Sequence, residues 1–448
     1  MLQILRVILE VLSAVFSVWM AAMLIYQLIL GIFGFRRKAK DYQDYDPKSR
    51  FLILVPAHNE EKVVKDIIEN LQHMEYPKEL YDFFIVADNC TDRTADVARQ
   101  MGAKVIETHK RTEKSATGKP IALKKALKII GNYEEKYDLL MIFDADNLID
   151  PNMLLEVNSQ YIDKNEPEMI QCYLGAKNKK GPVAWFYYVC FTTSNRFVQL
   201  ARTRRGLNCG IGGTGYAIKT KYLFERGGWT TMSLTEDFEI QIEATLKGKR
   251  ILWNHNVRVY DEKPTTFKAS LRQRVRWAQG QWFVALKNTP TLFKAIRNKT
   301  ISFREALSVF MYMYALFANI FVVFQAILGG VYSLLDVREV VDQAWYTTVP
   351  QVFLFLYSFL GLFYAADQMD NHVRPSIKTL PLMLYSTAVN LVLAVVAQTV
   401  GLFLYKRQNI WVKTEHNLNR LSCMGSLYEG ENYLPEYEDE LEIDKLEA

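Results

Sequence analysis

Apolar and polar positions follow two different rhythms along this chain. From Val7 to Phe33 the sequence stays apolar for longer than the roughly 20 residues that span a bilayer, and Arg36, Arg37, Lys38 and Lys40 follow at once. Three more long apolar stretches come late, at about Ala306–Leu335, Trp345–Ala366 and Ile377–Tyr405. Between Tyr42 and Thr300 no such run occurs. There, short apolar runs alternate with segments of helical spacing. Arg50–Val55, closed by Pro56, predicts a buried strand, and Glu60–Met74, with Val63, Val64, Ile67, Ile68 and Leu71 on one face, predicts a helix. Tyr81–Val86, Lys104–Ile106 and Leu139–Phe143 read as strands; Asp92–Met101 and Pro120–Ile130 read as helices. Such alternation with short links predicts an α/β domain with a parallel sheet covered on both faces.

The first apolar run has a weak basic start and no clear cleavage site, unlike a signal peptide, so it reads as a retained helix with its N-terminus outside and a cytoplasmic basic flank. The expected organisation is a transmembrane helix and flank over 1–41, a cytoplasmic α/β domain over 42–264 and amphipathic interfacial helices over 265–302. Transmembrane helices over 303–408 and a last segment with an acidic tail over 409–448 complete it. One helix before the domain and three after it would put Lys406, Arg407 and Lys413 outside, against the positive-inside tendency. A re-entrant late segment, or another interfacial segment that crosses, would remove that conflict, and the sequence does not choose between them.

Composition narrows the classes. Of 448 residues half are apolar and 23% are charged, which excludes a disordered chain and a collagen-like repeat. The five cysteines form no C-x-x-C pair, so neither a zinc module nor a disulfide scaffold is expected. The net charge of +5 hides an acidic tail, nine acidic residues with Lys445 from Glu429 onward. The remaining basic surface, set beside long apolar runs, points to a lipid bilayer and not to nucleic acid.

In open α/β sheets ligands bind beyond the carboxyl ends of the strands. Those positions carry His58-Asn59-Glu60, Asp88-Asn89-Cys90 and Asp144-Ala145-Asp146. At spacing two on extended backbone, Asp144 and Asp146 point the same way and repel unless a cation sits between them. Mg2+ or Mn2+ suits such oxygens and shares sites with substrate phosphates; a solvated turn or helix cap fits the pair too. The Asp88–Asp92 stretch offers acceptors for a base imide or ribose hydroxyls, and a cap supplied by Thr91 or Asp92 would leave Asp88 free. Cys90 reads as a packing residue. Lys110, Arg111, Lys114, Gly118 and Lys119 suit a phosphorylated ligand, with Lys119 as a point charge, or form a solvated basic loop.

Thr235-Glu236-Asp237 opens a predicted helix that runs to about Gly248, with Thr235 as N-cap. In the first turn the dipole favours ionised carboxylates, which keeps Asp237 available as a base; simple dipole complementation is the alternative. Within Thr265–Phe283, Arg276 can grip a phosphate and Trp277 can face a sugar. The same segment fits an interfacial helix with Trp277 and Trp282 at headgroup level. Asn208–Gly215 matches neither a dinucleotide fingerprint nor a P-loop and reads as backbone in close approach to a ligand. It follows Val183–Leu200, an aromatic segment that again suits a membrane surface.

In combination, Asp144-x-Asp146, Thr235-Glu236-Asp237 and Gln273-x-x-Arg276-Trp277, behind the strand end Pro56-Ala57-His58-Asn59-Glu60, resemble the membrane-embedded family 2 glycosyltransferases. That group holds the cellulose, chitin, hyaluronan and poly-N-acetylglucosamine synthases, and the likeness covers roughly Phe51–Trp277. It implies a GT-A type domain flanked by transmembrane and interfacial helices, a UDP-linked nucleotide-sugar donor, and Mg2+ or Mn2+. Glu60 and Asp88 would hold ribose and uracil; Lys119, Asp144, Gln273 and Arg276 would bind the diphosphate, and Asp146 with Asp144 the metal. Asp237, with Glu236 beside it, would be the catalytic base, and Trp277, Gly213, Thr214 and Gly215 would bind the acceptor. The implied activity is inverting and processive: a β-linked polysaccharide grows at the cytoplasmic face of the cell membrane and leaves through a multi-pass helical bundle, with room for accessory export or regulatory subunits. Single transfer to a lipid acceptor, and a non-enzymatic scaffold, are the alternatives. Trp411–His416 is similar to the gating loops of these synthases, and the 43 residues after Tyr405 are too few for an appended regulatory β-barrel. The sugar, its linkage and the primer are not written in the sequence.

Overall fold

The computed structural model describes residues 2–36, 38–109, 118–231, 233–314, 359–374 and 376–408. Helix α1 (Leu2–Gly31) leads into the α/β core. The core opens with β1 (Phe51–Ala57), α2 (Val64–Gln72), β2 (Tyr81–Asp88), α3 (Thr94–Gln100), β3 (Lys104–Thr108), α4 (Lys119–Ile130) and β4 (Leu139–Ile142). The expected strand–helix alternation is present over this half. Strand β1 pairs in parallel with both β2 and β4, and β2 with β3. Alternate β1 residues enter opposite layers: Phe51, Ile53 and Val55 pack with Ile67 and Ile68 of α2, whereas Leu52 and Leu54 pack with Leu123 and Ala126 of α4.

The second half corrects the all-parallel expectation. After β5 (Leu148–Ile149) and α5 (Met153–Asp163) come β6 (Met169–Ala176), α6 (Gly181–Ser194), β7 (Tyr216–Lys219), α7 (Glu236–Leu246) and β8 (Ile251–Asp261). They complete one mixed sheet in the order β3-β2-β1-β4-β7-β6-β8-β5. Strand β7 runs antiparallel to β4 and β6; the glycine-rich loop that feeds it begins beside Ile251 at the start of β8 and ends where β4 ends, with the Gly215 N–H on the Ile142 carbonyl. The result places that loop beside Asp144. Strands β6 and β8 are parallel to one another, so the carboxyl ends of β1, β2, β4, β6 and β8 share one edge.

Helix α8 (Phe267–Arg297) begins at a Thr266 cap, α9 (Phe303–Met313) at a Ser302 cap, and α10 (Leu380–Leu404) closes the described chain. Residues 359–371 are helical and are tied to the core by buried Asp370, which meets Arg196 Nε at 2.6 Å and His255 Nε2 at 3.0 Å. Among the described residues two helical stretches, Ser17–Gly34 and Ile377–Leu404, are long and apolar enough to cross a membrane. In α10 the polarity is inverted. Ser386, Thr387, Asn390 and Gln398 face inward, whereas Tyr385, Val392 and Phe403 are exposed, Phe403 at 80%. Most of the apolar runs at 306–335 and 345–366, the Trp411–His416 segment and the acidic tail lie outside the described residues.

Candidate active site

The turns after β1 and β2 hold one another. Asn59 and Asn89 both take left-handed backbone, a conformation asparagine tolerates better than most residues. His58 Nδ1 lies 2.6 Å from the Asp88 carbonyl oxygen, the Thr91 N–H donates to Asn59 Oδ1 at 2.7 Å, and the Glu60 N–H donates to Thr94 Oγ1 at 2.8 Å. Asp92 accepts the Thr94 N–H and caps α3, yet Asp88 is not thereby free. Its buried carboxylate accepts from Thr108 Oγ1 at 2.7 Å, Asn89 Nδ2 at 2.8 Å and the Gly118 N–H at 3.3 Å. A carboxylate has about four acceptor positions, and the described residues fill three of them. Of the expected basic loop, Lys110, Arg111 and Lys114 lie outside the described residues.

Asp144 and Asp146 sit in a turn and not on extended backbone, closed by the Asn147 N–H on the Asp144 carbonyl at 3.1 Å. The turn is organised by Asn147, a residue the sequence reading passed over. Its Oδ1 accepts the Asp144 N–H at 2.9 Å and the Thr214 hydroxyl, and its Nδ2 donates to Asp146 Oδ1 at 3.3 Å. Asp146 is buried, with Oδ2 held by the Glu262 N–H at 3.1 Å; Asp144 is the more open of the two. Among the described residues no three His, Cys, Asp or Glu side chains cluster to hold a metal ion. Two carboxylates nevertheless fit a hard cation that completes its shell with phosphate oxygens and water.

Lys119, the first residue of α4, joins the clusters. Its Nζ lies 2.6 Å from Asp144 Oδ1 and 2.6 Å from the Gly213 carbonyl oxygen. Burial works against its charge, but Asp144, Glu236 and Asp237 outweigh that and raise its pKa. Gly213, at φ +85°, leaves the space that Asp237 uses: a Cβ there would lie 3.2 Å from Asp237 Oδ2. Thr214 and Gly215, expected to meet the acceptor, face inward instead. The Thr214 hydroxyl is bonded to Asn147, and the Gly215 N–H donates to Ile142 while a Cβ would strike Val259 at 2.3 Å.

Glu236 and Asp237 open α7 as the spacing predicts. Thr235 makes no side-chain cap; its buried hydroxyl is pressed against Gly280 of α8. The dipole argument is also overruled, because the net shift is upward. Burial raises the Asp237 pKa, and burial followed by the Asp237 charge pushes Glu236 up to about 7, against the pull of Lys119 and Arg276. Gln273, Arg276, Trp277 and Gly280 share the face of α8 turned towards this motif. The charge of Arg276 acts on both carboxylates, and Gln273 Oε1 accepts from the Tyr187 hydroxyl at 2.9 Å. Trp277 stands edge-on to the Tyr187 ring. Trp282, expected at headgroup level, is buried against Tyr314. The sequence reading missed Tyr187 as well, since nothing in an aromatic helix marks one ring over its neighbours.

The structure thus gathers Asp88, Gly118, Lys119, Asp144, Gly213, Glu236, Asp237 and Arg276 around one edge of the sheet. A family model described as "Glycosyltransferase like family 2" matches residues 47–280. The chain is 28% identical over 312 residues to the "Probable glycosyltransferase YdaM" of Bacillus subtilis, covering 62% of this chain and 68% of that one. It is 28% identical over 248 residues to the β-monoglucosyldiacylglycerol synthase of a Nostoc species (53% and 51% covered). It is 24% identical over 253 residues to the poly-β-1,6-N-acetyl-D-glucosamine synthase of Staphylococcus aureus (55% and 57%). The chain therefore spans little more than half the length of those two synthases. The solved mannosyltransferase PcManGT from Pyrobaculum calidifontis, in complex with GDP-Man and Mn2+, shares the fold at a TM-score of 0.55 and 16% identity, over 87% of this chain and 99% of that one.

Proposed function

The chain belongs to the family 2 glycosyltransferases, and from that premise we propose that it polymerises a nucleotide-linked sugar into a β-linked polysaccharide at a membrane surface. One observation carries the reading: Lys119 bridges Asp144 to the Gly213 carbonyl, with the Asp237 carboxylate on the other side of that glycine. A diphosphate, a cation and a base belong at those three places.

In this account Glu60 and Asp88 hold ribose and base, with the remaining acceptor position of Asp88 suited to an imide N–H. Lys119, Gln273 and Arg276 hold the diphosphate. Asp146 and Asp144 would hold Mg2+ or Mn2+, which supplies charge neutralisation on the leaving group; PcManGT is described with Mn2+ bound. Asp237 takes the proton of the acceptor hydroxyl as that oxygen bonds to the anomeric carbon. The anomeric carbon's bond to the diphosphate oxygen breaks and the nucleoside diphosphate leaves, so a single displacement inverts the α-linked donor to a β-linked product. Glu236 stays beside the base and sets its charge. Trp277 offers its ring to the acceptor sugar, and the exposed apolar side of α10 suits lipid.

UDP is the favoured donor nucleotide on the sequence resemblance. A panel of UDP- and GDP-sugars, supplied with Mg2+ or Mn2+ to membranes that contain the full chain, should release one nucleoside diphosphate and build long polymer. Digestion with linkage-specific hydrolases then identifies the bond. Single transfer to a lipid is a second reading, favoured by the likeness to a glucosyldiacylglycerol synthase; products of one sugar on a gel would establish it over polymerisation.

A further inference from the structure

The far end of α10 reaches the catalytic motif. The Gln408 side chain accepts the Leu234 N–H through Oε1 at 2.9 Å and donates through Nε2 to the Gln279 carbonyl at 3.2 Å. Gln279 returns a bond to the Leu404 carbonyl at 3.4 Å. Leu234 is buried and directly precedes Thr235-Glu236-Asp237, so its N–H needs a protein acceptor. Two glycines bring the backbones together at the same junction. A Cβ on Gly401 would lie 2.4 Å from Ala278 Cβ, and one on Gly280 would lie 2.3 Å from Thr235 Oγ1. Contact is therefore continuous from α10 through residues 278–280 of α8 to the turn that carries Asp237.

We propose that Gln408 is a positioning residue for the Thr235–Asp237 turn, through which the seating of the apolar helix α10 fixes the direction of the base. The proposal rests on the reading of Asp237 as that base. It also puts residues 405–408 on the same side as the catalytic domain, the question that charge counting left open. The Gln408 bond to the Leu234 amide should make itself felt in turnover more than in donor binding, because among the described residues Gln408 makes no hydrogen bond to Asp88, Lys119, Asp144, Gln273 or Arg276 and is hydrogen-bonded to α8 only at the Gln279 carbonyl.

The test uses the full chain in detergent or nanodiscs, with Gln408→Leu and Gln408→Glu. The leucine variant removes both of these hydrogen bonds and the one Nε2 donates to the nearby Tyr405 carbonyl; the glutamate variant keeps an acceptor for Leu234. Loss of one bond to a buried amide should lower kcat about tenfold in Gln408→Leu, with the donor KM changed by less than about threefold, and Gln408→Glu should retain more activity. Hydrogen exchange of the peptide containing Leu234 should quicken about tenfold in Gln408→Leu and less in Gln408→Glu. Unchanged exchange in Gln408→Leu, or kcat within about twofold of the parent, overturns the proposal. If Gln408→Leu fails to fold, Gln408→Met, which keeps the side-chain length and removes the acceptor for Leu234, replaces it: exchange and kcat equal to the parent's overturn the proposal. Absence of nucleoside diphosphate release by the parent chain from every donor refutes the function reading instead, and the exchange measurement still decides the role of Gln408.

Discussion

The Tyr187 hydroxyl donates to Oε1 of Gln273 at 2.9 Å, so the amide group of Gln273 turns its two N–H donors the other way. A diphosphate is bound by donors, and an unanchored amide would present its oxygen half of the time. The ring of Tyr187 has two other tasks, as the edge partner of Trp277 and as the face under Arg274 at 4.7 Å. Tyr187→Phe keeps those and removes the hydroxyl's bond to Gln273 together with its 3.2 Å contact to Ser270 Oγ, a residue that does not face the diphosphate in this account. The donor KM should rise about fivefold, the value of one hydrogen bond near 1 kcal/mol. In a Gln273→Ala background the same substitution should do nothing more. Multiplicative effects in that cycle would show that Tyr187 acts elsewhere.

Neighbouring Glu236 and Asp237 make activity pH-dependent in a stated direction. Both have raised pKa values, and such a pair titrates as a unit. A base must be ionised, so turnover is present above the raised pKa and lost as pH falls through it. Glu236→Gln removes the adjacent negative charge, and the acid limb of kcat should move to lower pH. Stability responds in the opposite sense. A carboxyl whose folded-state pKa is raised favours the fold below its unfolded value and loses that contribution as pH rises through the folded one. Above about pH 7, where that contribution of Glu236 is lost, Glu236→Gln should therefore raise the melting temperature. An acid limb that stays in place would disprove the coupling.

What the sequence made legible was what local pattern controls. The strands and helices from Phe51 to Ile142 follow period and punctuation, and the acidic clusters fall at strand ends, where a sheet of this class exposes ligand sites. Three things escaped for one reason, that they depend on which segments meet. Strand β7 enters the sheet antiparallel beside the end of β4, where the glycine-rich loop delivers it, and nothing in its own residues marks that direction. Thr235 fails as a cap because α8 presses Gly280 against it. Asp144 and Asp146 leave extended geometry because Asn147 and Thr214, 67 residues apart, share a hydrogen bond. The upward shift of Asp237 has the same origin, since burial outweighs a dipole that is visible in the sequence.

Gly280 gives the most direct test of helix packing against the motif. The added methyl of Gly280→Ala would overlap Thr235 at Oγ1, Cγ2 and the backbone nitrogen, at 2.3, 2.7 and 2.8 Å. Alanine is the better helix former in isolation, so propensity alone predicts a small gain in stability. Overpacking of a tight contact typically costs 1–3 kcal/mol and shifts backbone. The expected result is a fall in kcat of about tenfold or more with little change in donor KM, because the displaced group is the turn that bears Asp237. A variant with parental kcat would mean that α8 and the turn separate freely.

Asn147 supplies the last prediction, about the cation. Its side chain holds the Asp144 N–H and Asp146 Oδ1 at once, so it fixes the spacing of the two carboxylates without adding charge. Asn147→Ala leaves both acids present but unbraced, and Asn147→Asp adds a third negative group and removes the donor to Asp146. Outer partners of metal ligands typically matter 10–100-fold in metal affinity. The concentration of Mn2+ needed for half-maximal activity should therefore rise about tenfold in Asn147→Ala, with activity recovered at saturating metal. Asp146→Asn removes one of the two proposed ligands and should not recover at any concentration. Equal metal dependence in Asn147→Ala and the parent would separate the turn from cation binding and leave Asp144 and Asp146 to act on the substrate alone.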